Sequence, residues 1–236
     1  MKKNFKISIV LILIMCLSFG SVTNAKTSKK VVTVGNEKIN IELVCDNSRM
    51  TIVKTEDSLA KYITKVDKKT NEISIETIDK KTAEKNITTK SLIEVNKVIE
   101  KAQKSSTMQY TFSKSKIYSE YSMFFDNSYY NNSDSEYWII KNSEEDRKNG
   151  YESHFDSDEL LNHKSAVDSL VNAEAAAIAT GSVSAVSAVV AVITAPTGVG
   201  PIVGVLLALG FGIGCAYSIW NMYQQRDISD FHFGRA

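Results

Sequence analysis

The chain has 236 residues, 43% of them apolar and 23% charged, with 28 Lys or Arg against 27 Asp or Glu. That is enough length and apolar content to bury a core, and the near balance of charge excludes a general basic surface for nucleic acid. The three cysteines and three histidines are too few and too scattered for a usual zinc site.

The first segment, MKKNFK followed by ISIVLILIMCLSFG and SVTNA, reads as a secretory signal peptide over 1–25. Cutting after Ala25 would leave a chain that starts at Lys26, with 25 basic against 27 acidic residues, a net −2. Along that chain the charge is segregated. Residues 26 to 104 hold 17 Lys or Arg against 12 Asp or Glu, and residues 134 to 174 hold 4 against 11.

A β-rich domain is expected over 26–140. Residues 31–79 alternate with a two-residue period, and turn chemistry falls at Gly35-Asn36, at Asp46-Asn47-Ser48 and between Asp67 and Asn71. A meander of four or five antiparallel strands with one apolar face follows from this. From Ser91 to Lys104 the residues Leu92, Ile93, Val95, Val98, Ile99 and Ala102 describe a short amphipathic helix covering one side of the sheet. Beyond it TMQYTF, KIYSEYSMFF and SEYWIIK return to strand character. Tyr129, Tyr130, Tyr137 and Trp138 read either as an exposed aromatic surface or as ordinary packing of a small β domain, with packing favoured.

Residues 141–157 are acidic and rich in turn formers, and read as a linker. A helix is expected to start near Ser157-Asp158-Glu159, with Leu160, Leu161, Val167, Leu170 and Val171 buried and with Asp168 and Glu174 outside. It leads into a stretch from Ala175 to Gln225 that carries no charged side chain. About fifty uncharged residues make roughly two bilayer-spanning helices of about 20 residues each. Residues 158–225 are therefore expected to form an amphipathic helix continuing into a hydrophobic helical hairpin, with 226–236 as a tail.

Small residues recur at every fourth position in both halves: Ala173, Ala177, Gly181 and Ala185, then Gly200, Gly204, Ala208, Gly212 and Ala216. That spacing lets helix backbones approach closely, in a membrane or in a soluble bundle. Pro196, Gly198 and Pro201 are the expected hairpin turn. Tyr217, Trp220 and Tyr223 sit where the apolar run ends and read either as an interfacial anchor or as a buried aromatic cluster. No Gly-x-Ser-x-Gly turn and no Cys/His pair of catalytic spacing occurs, so the chain is not read as an enzyme; no catalytic residue, metal ligand or cofactor is assigned. The fold class expected is α+β: an N-terminal antiparallel β-rich domain with a short helix, then a C-terminal glycine-rich hydrophobic helical hairpin.

This layout, with the run YITKVDKKTNEISI in the strand-rich part and LLNHKSAVDSLVNAE before the Gly/Ala-rich hairpin, resembles geobacillin-type large secreted bacteriocins of Gram-positive bacteria. The resemblance implies a secreted antibacterial protein and assigns no active residues. The reading is a pore-forming protein that inserts its hairpin into target-cell membranes, with the lipid bilayer as partner, no nucleic acid, a homo-oligomer in the membrane left open, and no receptor or immunity protein named. The alternatives are a non-toxic membrane-anchored surface protein displaying the β domain, or a soluble secreted binding module with a buried hairpin.

Overall fold

Four of the five turns in the N-terminal sheet are closed by an Asp or Asn side chain in the same way. The computed structural model describes residues 28–104, 120–125, 136–144 and 146–236, and within them residues 28–91 form one six-stranded antiparallel meander. Its strands are β1 (Ser28–Val34), β2 (Glu37–Asp46), β3 (Met50–Glu56), β4 (Ala60–Asp67), β5 (Glu72–Asp79) and β6 (Lys85–Ser91), each paired with the next. Asn47, Asp57, Asp67 and Asp79 each use Oδ1 to accept the backbone N–H groups two and three residues ahead, at 2.7–3.2 Å. This is the local bond that makes Asp and Asn favour turns over ladders. The fifth turn places Gly35 at φ +61° in the two-residue loop between Val34 and Glu37, a conformation a Cβ resists.

The alternation of the strands sorts side chains onto two faces. Ile39, Ile41, Val53, Tyr62, Val66, Ile73 and Ile75 are buried on the inner face, and Thr55 and Thr64 lie among them. The fold is α+β, as expected, and the strand count is one higher than the upper estimate because residues 85–91 pair as β6. Helix α1 (Leu92–Lys104) follows directly. Among its described side chains Val95 is buried, whereas Ile93 and Val98, expected on the covered face, are 55% and 43% exposed. The expected strands at 107–112 and 116–119, and Tyr129 and Tyr130, lie outside the described residues.

The described residues divide into two compact units. The first joins the six-stranded sheet to residues 187–217, which contain most of α3 (Val183–Val192) and all of α4 (Val199–Ala208). The second contains a three-stranded antiparallel sheet, β7 (Glu120–Phe125), β8 (Glu136–Lys141) and β9 (Arg147–Tyr151), with α2 (Ser157–Thr180) and nearly all of α5 (Ala216–Arg235). Trp138, Ile140, Leu160, Val167 and Phe233 form the core of this second unit, so Trp138 is a packing residue.

The expected linker over 141–157 differs from the structure. Residues 147–151 pair with β8, and a 3-10 turn at Glu152–His154 leads to Asp156, whose side chain caps α2 by accepting the N–H groups of Asp158 and Glu159. The acidic side chains there sit in the turn before β9, in the 3-10 turn and at the helix cap, roles composition alone does not separate from a linker. The expected tail 226–236 likewise continues α5. In α2 the buried stripe runs through Leu160, His163, Val167, Leu170, Glu174 and Ala177, at steps of three and four. Glu174 is therefore inside, against expectation, and Leu161 is 51% exposed.

Candidate functional site

Gly200 and Gly204 stand one helical turn apart on α4 and present bare backbone to the inner face of β3 and β4. A Cβ on Gly200 would lie 2.4 Å from Cε2 of Tyr62, and one on Gly204 would lie 2.5 Å from Oγ1 of Thr64. The helix thus sits directly on the sheet, with the Tyr62 ring filling the space a larger residue at 200 would need. Every residue of α4 from Val199 to Leu206 is buried, and fully burying Ile202 and Leu206 contributes about 1.5–3 kcal/mol each.

Burying the start of a helix leaves backbone N–H groups that need acceptors. Gly198, the residue at the N-cap, has no side chain to offer. Asp57, in the turn between β3 and β4, takes that part: while its Oδ1 closes its own turn, its Oδ2 accepts the N–H of Gly200 at 3.0 Å. A carboxylate here also meets the positive end of the helix dipole. The Thr55 hydroxyl donates to the Gly200 carbonyl at 2.8 Å, and Tyr62 Oη lies 3.1 Å from Thr197 Oγ1. Lys80 donates to the Asp57 carbonyl and pairs with Glu56 at 2.9 Å, which braces the turn from outside.

This seat is polar and mostly buried. Asp57 is 4% exposed and Tyr62 fully buried. Burial pushes the Tyr62 phenol well above its usual range, the neighbouring Asp57 carboxylate adds to the rise, and the Thr197 hydroxyl works against it. Thr64 Oγ1 is buried without a hydrogen-bond partner, facing the bare Cα of Gly204. Among the described residues no group of three or more His, Cys, Asp or Glu side chains is placed to hold a metal ion.

Comparison with protein-family models, with curated proteins and with solved structures finds no match.

The small residues singled out in the sequence do not follow one continuous helix. Ala173 and Ala177 are buried on α2, and Gly181 ends it before α3 begins at Val183. Ala185 is buried on α3. Gly200, Gly204 and Ala208 belong to α4, Gly212 lies in the connection after it, and Ala216 opens α5. The expected turn residues Pro196 and Gly198 do lie between α3 and α4. Pro201 instead is the third residue of α4, where its missing N–H costs no intrahelical bond.

The three aromatics of the expected anchor sit on α5 in three environments. Tyr217 is 52% exposed and lies against Gly35, Trp220 is half-buried, and Tyr223 is buried with the Arg226 guanidinium 5.0 Å from its ring centre. Among the described residues no single helix is long and apolar enough to cross a membrane, and one bent pair, α2 with α3, meets that test only by length and composition. Cys45 and Cys215 are both free. In the second unit Glu159 binds His232 at 2.5 Å and Arg235 at 2.7 Å, and the buried His163 places Nδ1 3.0 Å from the Ser229 carbonyl.

Sequence reasoning missed Asp57, Thr55, Tyr62 and Thr64. The available signal was polar residues at inward positions of β3 and β4: Thr51, Thr55 and Thr64, with the Tyr62 phenol.

Proposed function

We propose that this chain is a secreted antibacterial protein that keeps an uncharged helical segment seated on its own β-sheet and delivers it into a target-cell bilayer. One observation carries the reading: α4 is apolar on every side and lies at the centre of a stretch from Ala175 to Gln225 without a charged side chain. A segment of that kind is as compatible with hydrocarbon as with a protein core. The layout resembling geobacillin-type bacteriocins points the same way.

Ten residues of helix span about 15 Å, half of a hydrocarbon core. Entry therefore requires α4 to extend through the glycine-rich connection 209–215 toward α5, and requires the Asp57–Gly200 bond to break first. Gly204 and Thr64 provide the test. A Cβ on Gly204 would stand 3.5 Å from the Thr64 Cβ, a separation that a disulfide bridges. In a background of Cys45→Ser and Cys215→Ala, the pair Thr64→Cys and Gly204→Cys would pin α4 to the sheet. The expected result is dye release from phosphatidylglycerol-containing liposomes by the reduced form and none by the oxidised form. Equal release from both would overturn the proposed step, and silence from both across neutral and acidic pH would overturn the membrane reading.

The close fit of Gly200 on Tyr62 favours a second reading, a secreted binding module in which α4 is a permanent part of the core. It predicts a monodisperse protein that never partitions into lipid, whether oxidised or reduced.

A further inference from the structure

The face of the six-stranded sheet turned away from α4 carries an open concavity of about 660 Å³, within the size range of small-ligand sites. Its composition is unusual for a face that is merely solvated. Cross-strand pairing builds two adjacent rows: Lys29, Glu42, Lys54 and Ile63 in one, Val31, Asn40, Glu56, Lys61 and Ile78 in the next. At one end of the concavity Ile63 on β4 and Ile78 on β5 are half-covered diagonal neighbours, while Val31, 62% exposed, stands at the other end on β1.

Three of the cations around them are not engaged by the fold. Among the described residues the ammonium groups of Lys29, Lys54 and Lys61 have no carboxylate within ion-pair distance, whereas Glu56 is turned to Lys80 at 2.9 Å. Glu42 is the one unengaged carboxylate at the rim. Three unspent positive charges against one negative, beside exposed aliphatic side chains, complement a ligand with an anionic head and an apolar tail.

We propose that this concavity binds a single-chain anionic amphiphile, with its head held by Lys54 and Lys61 and its chain laid over Ile63 and Ile78. The site goes beyond the membrane reading and does not rest on it, since it uses the opposite face of the sheet and requires no movement of α4. A chain of near-balanced charge, 28 basic against 27 acidic residues, gains in this way a local cationic site.

Calorimetric titration of the chain Lys26–Ala236 with dodecyl phosphate below its micelle concentration tests it. One molecule per chain is expected, with affinity falling as salt is raised. Lys54→Glu with Lys61→Glu should weaken binding by about tenfold or more, and Ile63→Ser by several-fold. Lys65→Glu, on the same face but outside the concavity, should leave binding within about twofold and serves with circular dichroism as the folding control. Inorganic phosphate alone and dodecyl maltoside should each bind at least about tenfold more weakly than dodecyl phosphate. Phosphate binding as tightly as dodecyl phosphate, dodecyl maltoside doing so, or undiminished binding in the Lys54/Lys61 variant would each overturn the proposal. None of these readouts involves a bilayer, so failure here and failure of liposome release are separable.

Discussion

Asp57 Oδ2 accepts the backbone N–H of Gly200 at 3.0 Å, joining a hairpin turn to the start of a helix 143 residues further along the chain. The same carboxylate closes its own turn through Leu59 and Ala60. One side chain therefore holds together two features that each need an acceptor.

Removing that side chain should expose both needs at once. Asp57→Ala is expected to destabilise the protein by about 2–4 kcal/mol, the scale of a lost cap combined with buried N–H groups left unpaired. Asp57→Asn, which keeps one acceptor oxygen, should lose less. Urea denaturation followed by circular dichroism gives both values, and a cost for Asp57→Ala no larger than that of alanine at the half-buried turn residue Asp67 would remove the special standing of the Gly200 bond.

Helix propensity alone says that alanine should improve α4 at Gly204, by about 1 kcal/mol. The Thr64 hydroxyl 2.5 Å from the new Cβ says otherwise. Gly204→Ala is expected to lower stability by about 1–3 kcal/mol through overpacking, and Thr64→Ala in the same chain should recover part of that loss. The double-mutant cycle measures the coupling. Thr64→Val should be neutral or stabilising on its own, because the hydroxyl it replaces is buried without a partner.

Stability should decline at both ends of the pH scale, for different reasons. Asp46 is held low by the Thr51 hydroxyl, against burial and with help from Lys68; Asp67 and Asp79 are held low by the turn N–H groups they accept. As pH falls below about 3.8 the unfolded carboxyls protonate before the folded ones, so the unfolded state binds more protons and stability drops. Replacing the three by Asn should flatten that limb. On the alkaline side burial raises the Cys215 thiol and the Tyr62 phenol. The unfolded groups then ionise first, from about 9.0 for the thiol and 10.0 for the phenol, so stability falls as pH rises past those values. Chemical denaturation at stepped pH, repeated with Cys215→Ala and Tyr62→Phe, should show the alkaline limb shrinking.

Trp138 anchors the core of the second unit at 1% exposure, beside Ile140, Leu160, Val167 and Phe233. Trp138→Ala should cost about 3–5 kcal/mol. In a Trp220→Phe chain the remaining native emission should be that of a dry indole and should shift to the red on unfolding. A native spectrum already at the solvent-exposed position would contradict the burial.

Much of the architecture is legible in single residues. The two-residue alternation and the Asp and Asn side chains at the turns specify the meander, because both are local: a strand's side-chain period and an Asx bond each span a few residues. The start of α2 is legible for the same reason, since Asp156 caps N–H groups two and three residues away. β9 was hidden because charged strand residues and a charged linker have the same composition. Glu174 was misplaced because charge suggests solvent, while the three-four stripe from Leu160 to Ala177 places it inside.

The sequence by itself determined that the segment after Glu174 is uncharged and that backbone must come close to something at Gly200 and Gly204. A small residue states only that space is required. What occupies the space was decided by tertiary structure: the Tyr62 ring and the Thr64 hydroxyl reach α4 from the sheet, where a partner helix was the expectation. The cap on α4 was decided there too, because the second oxygen of Asp57 finds its donor only once residues 143 positions apart have been folded against each other.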